Sequence, residues 1–187
     1  MKSRSKQSRG VEKKAGILDA AIDLMFLHGL PGVTHRQVAA RANVPVGSVG
    51  YYFHSRDELV VQAIATVAQR RSDYARKLRE IIPGDTPLLI ELLLETCAPE
   101  AATLLAGWVK IGMDCARESE EFRKAWSQVL KEALADVRAV LTQAGRTNVS
   151  ADVVFLMING AAVAAILRNE DPHPAATRAL TCYLDVL

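Results

Sequence analysis

Between Thr34 and Phe53 the sequence THRQVAARANVPVGSVGYYF gathers the residues best suited to chemistry, and that chemistry is recognition rather than bond making. Thr34, His35 and Arg36 stand where a helix begins, so free N–H groups and a cation face one way, which suits a phosphate. Pro45, Val46, Gly47, Ser48, Tyr51 and Tyr52 fall on or beside one side of a second short helix. Val46 and Pro45 suit thymine methyl groups, and Ser48 and Tyr51 offer single hydrogen bonds. No Arg, Lys, Asn or Gln lies in that helix. Bidentate readout of guanine or adenine is therefore not available from it, and DNA shape must carry more of the specificity. Arg56 is placed to grip a phosphate at the start of the next helix. Lys6 and Arg9, with Lys2 and Arg4, form a basic arm that reaches a minor groove or flanking phosphates, or simply solubilises the chain.

The elements that must position these residues are legible from spacing. Ala39 is small enough for one helix to cross closely over another. Asn43, four residues on, falls at the sharp turn, where a residue tolerant of positive φ is needed. Val49, ten residues after Ala39, faces back into a small core with Val38 and Val44. Thr34-x-x-Gln37 and Ser55-x-x-Glu58 are capping boxes that open the helices before and after this unit, and Pro45 suits a first helical turn. Phe53 belongs to the core, while Tyr52 is shared between core and groove. Two short helices locked in this way form a helix-turn-helix, which presents its second helix to a DNA major groove.

The rest of the chain reads as all-α. Of 187 residues half are apolar, few are aromatic, and the long runs repeat at the helical period with no alternating strand pattern. Helices are expected at about 11–28, 34–42, from 45, 55–82, 87–97, 100–117, 120–144, 151–169 and 174–186, about nine in all. Gly29, Pro83-Gly84, Thr86-Pro87, Pro99, Ser119, Gly145, Ser150 and Asp171-Pro172 punctuate them. Net charge is +2, but residues 1–57 carry +5 and the remainder −3, which separates a part that meets phosphates from one that does not.

Several functions are disfavoured. His28, His35, His54 and His173 make no metal-ligand or triad spacing with carboxylates or cysteines, and no Gly-rich phosphate loop follows a strand, so neither an enzyme, a metal nor a cofactor is expected. Cys97, Cys115 and Cys182 are widely spaced and read as reduced thiols of a cytoplasmic protein. Neither a secretory leader nor a membrane span is expected. Val153–Leu167 (VVFLMINGAAVAAIL) is apolar nearly all round and must be covered on every side, most simply by a second copy of the chain. Val153, Met157, Gly160, Ala161 and Ala164, with Ala176, Leu180 and Tyr183 of the last helix, are the expected faces of a four-helix dimer interface.

The segment Ile17–Ile64 resembles the N-terminal domain of the TetR family of bacterial transcriptional regulators. The matching pieces are Ile17-Leu18-x-Ala20-Ala21, Phe26 followed by Gly29, Thr34, Val38-Ala39, Gly47-Ser48-Val49, Tyr52-Phe53-x-Ser55-Arg56 and Leu59. Asn43 stands where that family commonly has Gly, Pro45-Val46 where Ser-Lys is frequent, and Gly50 where Tyr is common. The resemblance implies a nine-helix homodimer that represses transcription from a palindromic operator and releases it when a small-molecule effector fills the C-terminal domain. On this reading residues 1–10 are a basic mobile arm, 11–57 the DNA-binding domain with its motif at 34–53, and 58–187 the effector-binding and dimerisation domain. Leu92, Thr96, Trp108, Ile111, Cys115, Phe122, Trp126, Phe155 and Asn159 are the candidate lining of an apolar pocket for a hydrophobic or amphipathic effector. Asp114 reads as the ion-pair partner of Lys110, four residues earlier. The competing readings are a helical ligand-binding dimer without specific DNA binding, and an all-α enzyme.

Overall fold

Local side-chain chemistry sets most of the helix boundaries in the computed structural model, which describes the backbone of residues 2–186 and the side chains of residues 10–186. Nine α-helices and one short 3-10 turn, with no strand, make up the described residues. They are α1 (Lys2–His28), the turn Leu30–Gly32, α2 (His35–Arg41), α3 (Val46–Tyr52), α4 (Arg56–Leu78), α5 (Thr86–Cys97), α6 (Ala101–Glu118), α7 (Glu120–Gln143), α8 (Ala151–Leu167) and α9 (Pro172–Leu184).

Side-chain oxygens of Thr34, Ser55, Asp85, Ser119, Ser150 and Asp171 accept from backbone N–H groups of the first turns of α2, α4, α5, α7, α8 and α9. Asn43, at φ 52°, ends α2 in a Schellman turn: its own N–H reaches Ala40 O, and Val44 N–H reaches Ala39 O at 2.9 Å. The turn of the helix-turn-helix is therefore made by the residue expected to make it. Pro45 stands one place earlier than expected, as the N-cap of α3.

Most ends fall within two residues of the sequence expectation, and three differences have a clear local cause. α1 begins at Lys2 rather than near Val11, because Lys, Arg and Gln favour helix, no proline intervenes, and a single Gly10 costs only about 0.5–1 kcal/mol. The segment expected as a mobile arm is thus drawn into the first helix, and the expected contacts of Lys2, Arg4, Lys6 and Arg9 lie outside the described side chains. α4 stops at Leu78 rather than Ile82. The N–H groups of Glu80 and Ile81 bond carbonyls three residues back, and Ile82 is held from helical geometry by Pro83. α6 starts after Glu100, which adopts φ 59°; the Glu95 carboxylate holds this turn by accepting from both Glu100 N–H (2.9 Å) and Ala101 N–H (2.8 Å).

One hydrophobic core runs from Ile17 in α1 to Leu184 in α9. α4 is its axis, packing on α1 with one end and on α5 and α7 with the other. α6 lies against α1, α7 and α8, and α8 pairs extensively with α9. Inside this frame Arg71 is fully buried, donating to Asp136 Oδ2 at 3.0 Å and to Thr96 O at 3.1 Å, and Arg79 meets the other Asp136 oxygen at 3.4 Å. This network ties α4, α5 and α7 together. No helix among the described residues is long and apolar enough to cross a membrane.

Candidate nucleic-acid interface and effector cavity

The reading head is held from behind and open in front. Val38, Ala39, Val49 and Phe53 are buried between α2, α3 and α1, and Val44 packs against them. On the other side Pro45, Val46, Gly47, Gly50 and Tyr51 are exposed, Tyr51 to 77%. Ser48 and Tyr52 are half-buried at the flank that faces α1. The Tyr52 ring meets Tyr51 edge-on at 5.1 Å, and its hydroxyl lies beside Gly10. Lys14 places its ammonium 5.3 Å from the centre of the Phe53 ring.

The α2 start is only partly free for a ligand. Arg36 is exposed. The Thr34 hydroxyl is occupied by its own cap, accepting from Gln37 N–H at 3.2 Å and donating to Gln37 Oε1 at 2.8 Å. His35 is half-buried, with Nε2 enclosed and without a hydrogen-bond partner. A residue that the sequence reading missed joins the head from outside: Lys13 of α1 donates from Nζ to Ser48 Oγ at 3.0 Å. The two residues are 35 positions apart, so no local pattern points to the pair.

Arg56 requires a correction. Its position at the start of α4 suggests a phosphate contact, but the guanidinium is turned inward. Nε donates to Val33 O at 2.9 Å, Nη2 to Leu30 O at 2.6 Å, and Nη1 to Glu118 Oε2 at 2.8 Å. The same group lies over the ring of Phe122, 6.0 Å from its centre. Asp114 is corrected with it. Instead of pairing with Lys110, its Oδ2 accepts from Leu30 N–H at 2.9 Å. Gly29, at φ 76°, lets this carboxylate in, since a Cβ there would stand 2.3 Å from the oxygen. The last turns of α6 thus clasp the α1–α2 connection, Asp114 directly and Glu118 through Arg56.

An apolar cavity of about 340 Å³ lies between the end of α5 and α6, α7 and α8. Of the candidate lining residues Trp108, Trp126, Phe155 and Asn159 border it, together with Cys97, Gly112, Ala133 and Val163, to which no sequence signal pointed. Leu92, Thr96, Ile111, Cys115 and Phe122 do not reach it. All five are buried in the core, their helices being rotated so that neighbouring positions face the opening. Gly112 allows the two walls to close, because a Cβ there would stand 2.6 Å from Trp126 Nε1. Asn159 donates from Nδ2 to Phe155 O one turn back, which satisfies part of its amide within α8. Burial pushes the Cys97 thiol up to about 12. A second, more polar cleft of about 590 Å³ opens at the seam of α1, α4 and α6, and Trp108 forms a wall of both spaces. From there Trp108 touches Phe26 of α1 edge-on at 5.3 Å.

Of the expected dimer residues, Ala176 and Leu180 are fully buried within the single chain, where α9 packs on α8 and α5, so they cannot meet a second copy. Val153 and Gly160 are exposed on α8, Met157, Ala161 and Ala164 are half-buried beside them with Met157 and Ala161 packed against the core, and Tyr183 is half-buried on α9. Leu156, 69% exposed, joins Val153 and Gly160 in an outward stripe and was missed. Among the described residues no cluster of three or more His, Cys, Asp or Glu could hold a metal ion.

Comparison with known proteins agrees with this architecture. The family model for bacterial regulatory proteins of the tetR family matches residues 17–63. The chain is 30% identical over 148 residues to the HTH-type transcriptional regulator RutR of Escherichia coli (strain K12), covering 60% of this chain and 69% of RutR. It is 29% identical over 150 residues to the HTH-type transcriptional repressor KstR of Rhodococcus jostii (strain RHA1), covering 76% and 69%. Its fold is similar to that of the Bacillus subtilis transcriptional regulator FadR, solved in complex with stearoyl-CoA, with a TM-score of 0.66 over 89% of this chain and 95% of that one at 16% identity. With its all-α fold, its helix-turn-helix head and these relatives, the chain belongs to the TetR family of DNA-binding transcriptional regulators.

Proposed function

We propose that the protein is a homodimeric repressor that leaves a palindromic operator when a small, largely apolar effector fills the cavity between α5 and α8. The observation that carries this reading is the double duty of α6. Its middle, at Trp108 and Gly112, walls the cavity, and its last turns, at Asp114 and Glu118, clasp the connection that enters the reading head. An effector that shifts α6 therefore acts on the head through short hydrogen bonds rather than through a flexible linker. It needs only to bind the shifted state better than the DNA-bound state, since differential affinity is what moves the population.

The apolar lining supports a hydrophobic or amphipathic effector, and KstR, a repressor by name, supports the direction of control. The outward stripe of α8 supports dimerisation, which would set two α3 helices against successive major grooves about 34–36 Å apart. Nothing in this reading calls for catalysis or a cofactor, and the protein would act in the cytoplasm, where its DNA is.

The test is to pass genomic fragments of the source organism over the purified protein and sequence what is retained. Enrichment of a short palindrome near a few promoters supports the reading, and mass spectrometry of denatured protein then searches for a co-purified effector. Retention without sequence preference would replace it with a ligand-binding helical dimer that has no operator.

A further inference from the structure

The recognition helix α3, VGSVGYY, cannot by itself place two hydrogen-bonding groups of Arg, Lys, Asn or Gln type on one base. α1 supplies what it lacks. Lys13 Nζ donates to Ser48 Oγ at 3.0 Å, at the edge of the open face formed by Pro45, Val46, Gly47, Gly50 and Tyr51. That face also carries a notch. Apart from the adjoining residues and the helix's own backbone, nothing comes within 4 Å of where a Cβ on Gly47 or Gly50 would stand, so packing inside the chain does not require either glycine. Glycine is nevertheless a poor helix former, and two in a seven-residue helix weaken it. The feature that gains from them is close approach of the α3 backbone to an external surface.

We propose that Lys13 and Ser48 together read the major-groove edge of a guanine, with the Gly47–Gly50 notch letting α3 settle near the base pairs. Ser48 Oγ accepts from Lys13, which leaves the Ser48 O–H to point elsewhere as a donor. The ammonium keeps two further N–H groups. The result is two donors, their heavy atoms 3.0 Å apart, on one flank of the reading helix. Guanine presents two acceptors side by side in the major groove, N7 and O6. Adenine pairs its N7 with the N6 donor, which would oppose one of the protein donors. Thymine offers one acceptor beside a methyl, and cytosine a donor. Only guanine satisfies both groups. The inference rests on α3 being the helix that enters the groove.

Selection from randomised duplexes, followed by affinity measurements on the selected site, tests this with the wild-type chain, Lys13→Met and Ser48→Ala. Wild type is expected to select a G·C pair at one position of each half-site. Both variants should lose about 5- to 150-fold discrimination at that position, while keeping their preferences elsewhere. Replacing that guanine by 7-deazaguanine, which removes the N7 acceptor, should weaken wild type and cost much less in whichever variant lacks the donor to N7. Equal weakening on all sequences by Lys13→Met, with the salt slope falling by about one, would make Lys13 a phosphate contact and overturn the inference. Unchanged preferences in both variants would overturn it too. If wild type selects no sequence at all, the reading of α3 as a sequence reader fails first, and this inference with it.

Discussion

Replacing Gly50 by Ala should make the protein more stable and a worse DNA binder. Gly50 is the fifth of seven residues in α3, and the added methyl would meet nothing within 4 Å beyond its neighbours and the helix's own backbone. There is thus no clash to offset the gain from replacing glycine in a helix, about 0.5–1 kcal/mol. For a chain of this length 1 kcal/mol moves the melting temperature by about 2–4 °C, so Gly50→Ala should melt about 1–4 °C higher. On DNA the methyl projects from the open face of the head and holds α3 away from the base pairs. Loss of one base contact is worth about 1–3 kcal/mol, so operator affinity should fall about 5- to 150-fold. Thermal unfolding by circular dichroism and fluorescence anisotropy on a labelled operator duplex measure the two effects on one preparation. A variant that melts higher and binds as tightly as wild type would show that α3 does not approach the groove floor at Gly50. A variant that melts lower would show that the space beside Gly50 is not open.

Arg71→Met should cost about 3–5 kcal/mol, because it leaves the Asp136 carboxylate inside the fold with only the longer Arg79 contact, and the melting temperature should fall by about 6–20 °C. The double variant Arg71→Met/Asp136→Leu should recover much of this loss, and a coupling energy near zero in the double-mutant cycle would contradict the packing described for α4 and α7. Glu118→Gln should retain operator binding but weaken effector-driven release about 5- to 10-fold, since it loosens the α6 clasp on Arg56 without touching α3; unaltered release would remove this contact from the route. Burial pushes the thiols of Cys97 and Cys115 up to about 12, so at pH 8 Cys182, which is exposed, should react with a disulfide reagent far faster than either. The folded chain keeps these protons while an unfolded thiol loses its own near 8.5, so stability is full below about pH 8.5 and falls as pH rises toward 12. Urea midpoints that stay level from pH 8 to 10.5 would contradict that burial.

Short-range chemistry explains what the sequence by itself determined. Thr34, Asn43 and Ser55 act within five residues of their own positions, through caps and one positive-φ turn, so the helix-turn-helix could be read from spacing alone. The nine-helix plan follows from the same kind of signal, apolar periodicity broken by Pro, Gly, Ser and Asp. Helix rotation was not legible in the same way. Trp108 lines the cavity and Ile111 is sealed beneath it, though both sit on the apolar side of α6, because which part of that side is open depends on where α7 and α8 pack. Ala176 and Leu180 read as a dimer surface for the same reason: an apolar face on α9 does not say whether α8 or a second chain covers it. In sequence Arg56 reads as free for phosphate because its partner Glu118 is 62 residues away, and nothing points to Lys13 because Ser48 is 35 residues away. Contacts at such separations leave no periodic trace, so only the packing of α1, α4 and α6 decides which charges face the DNA and which bind the head to the body.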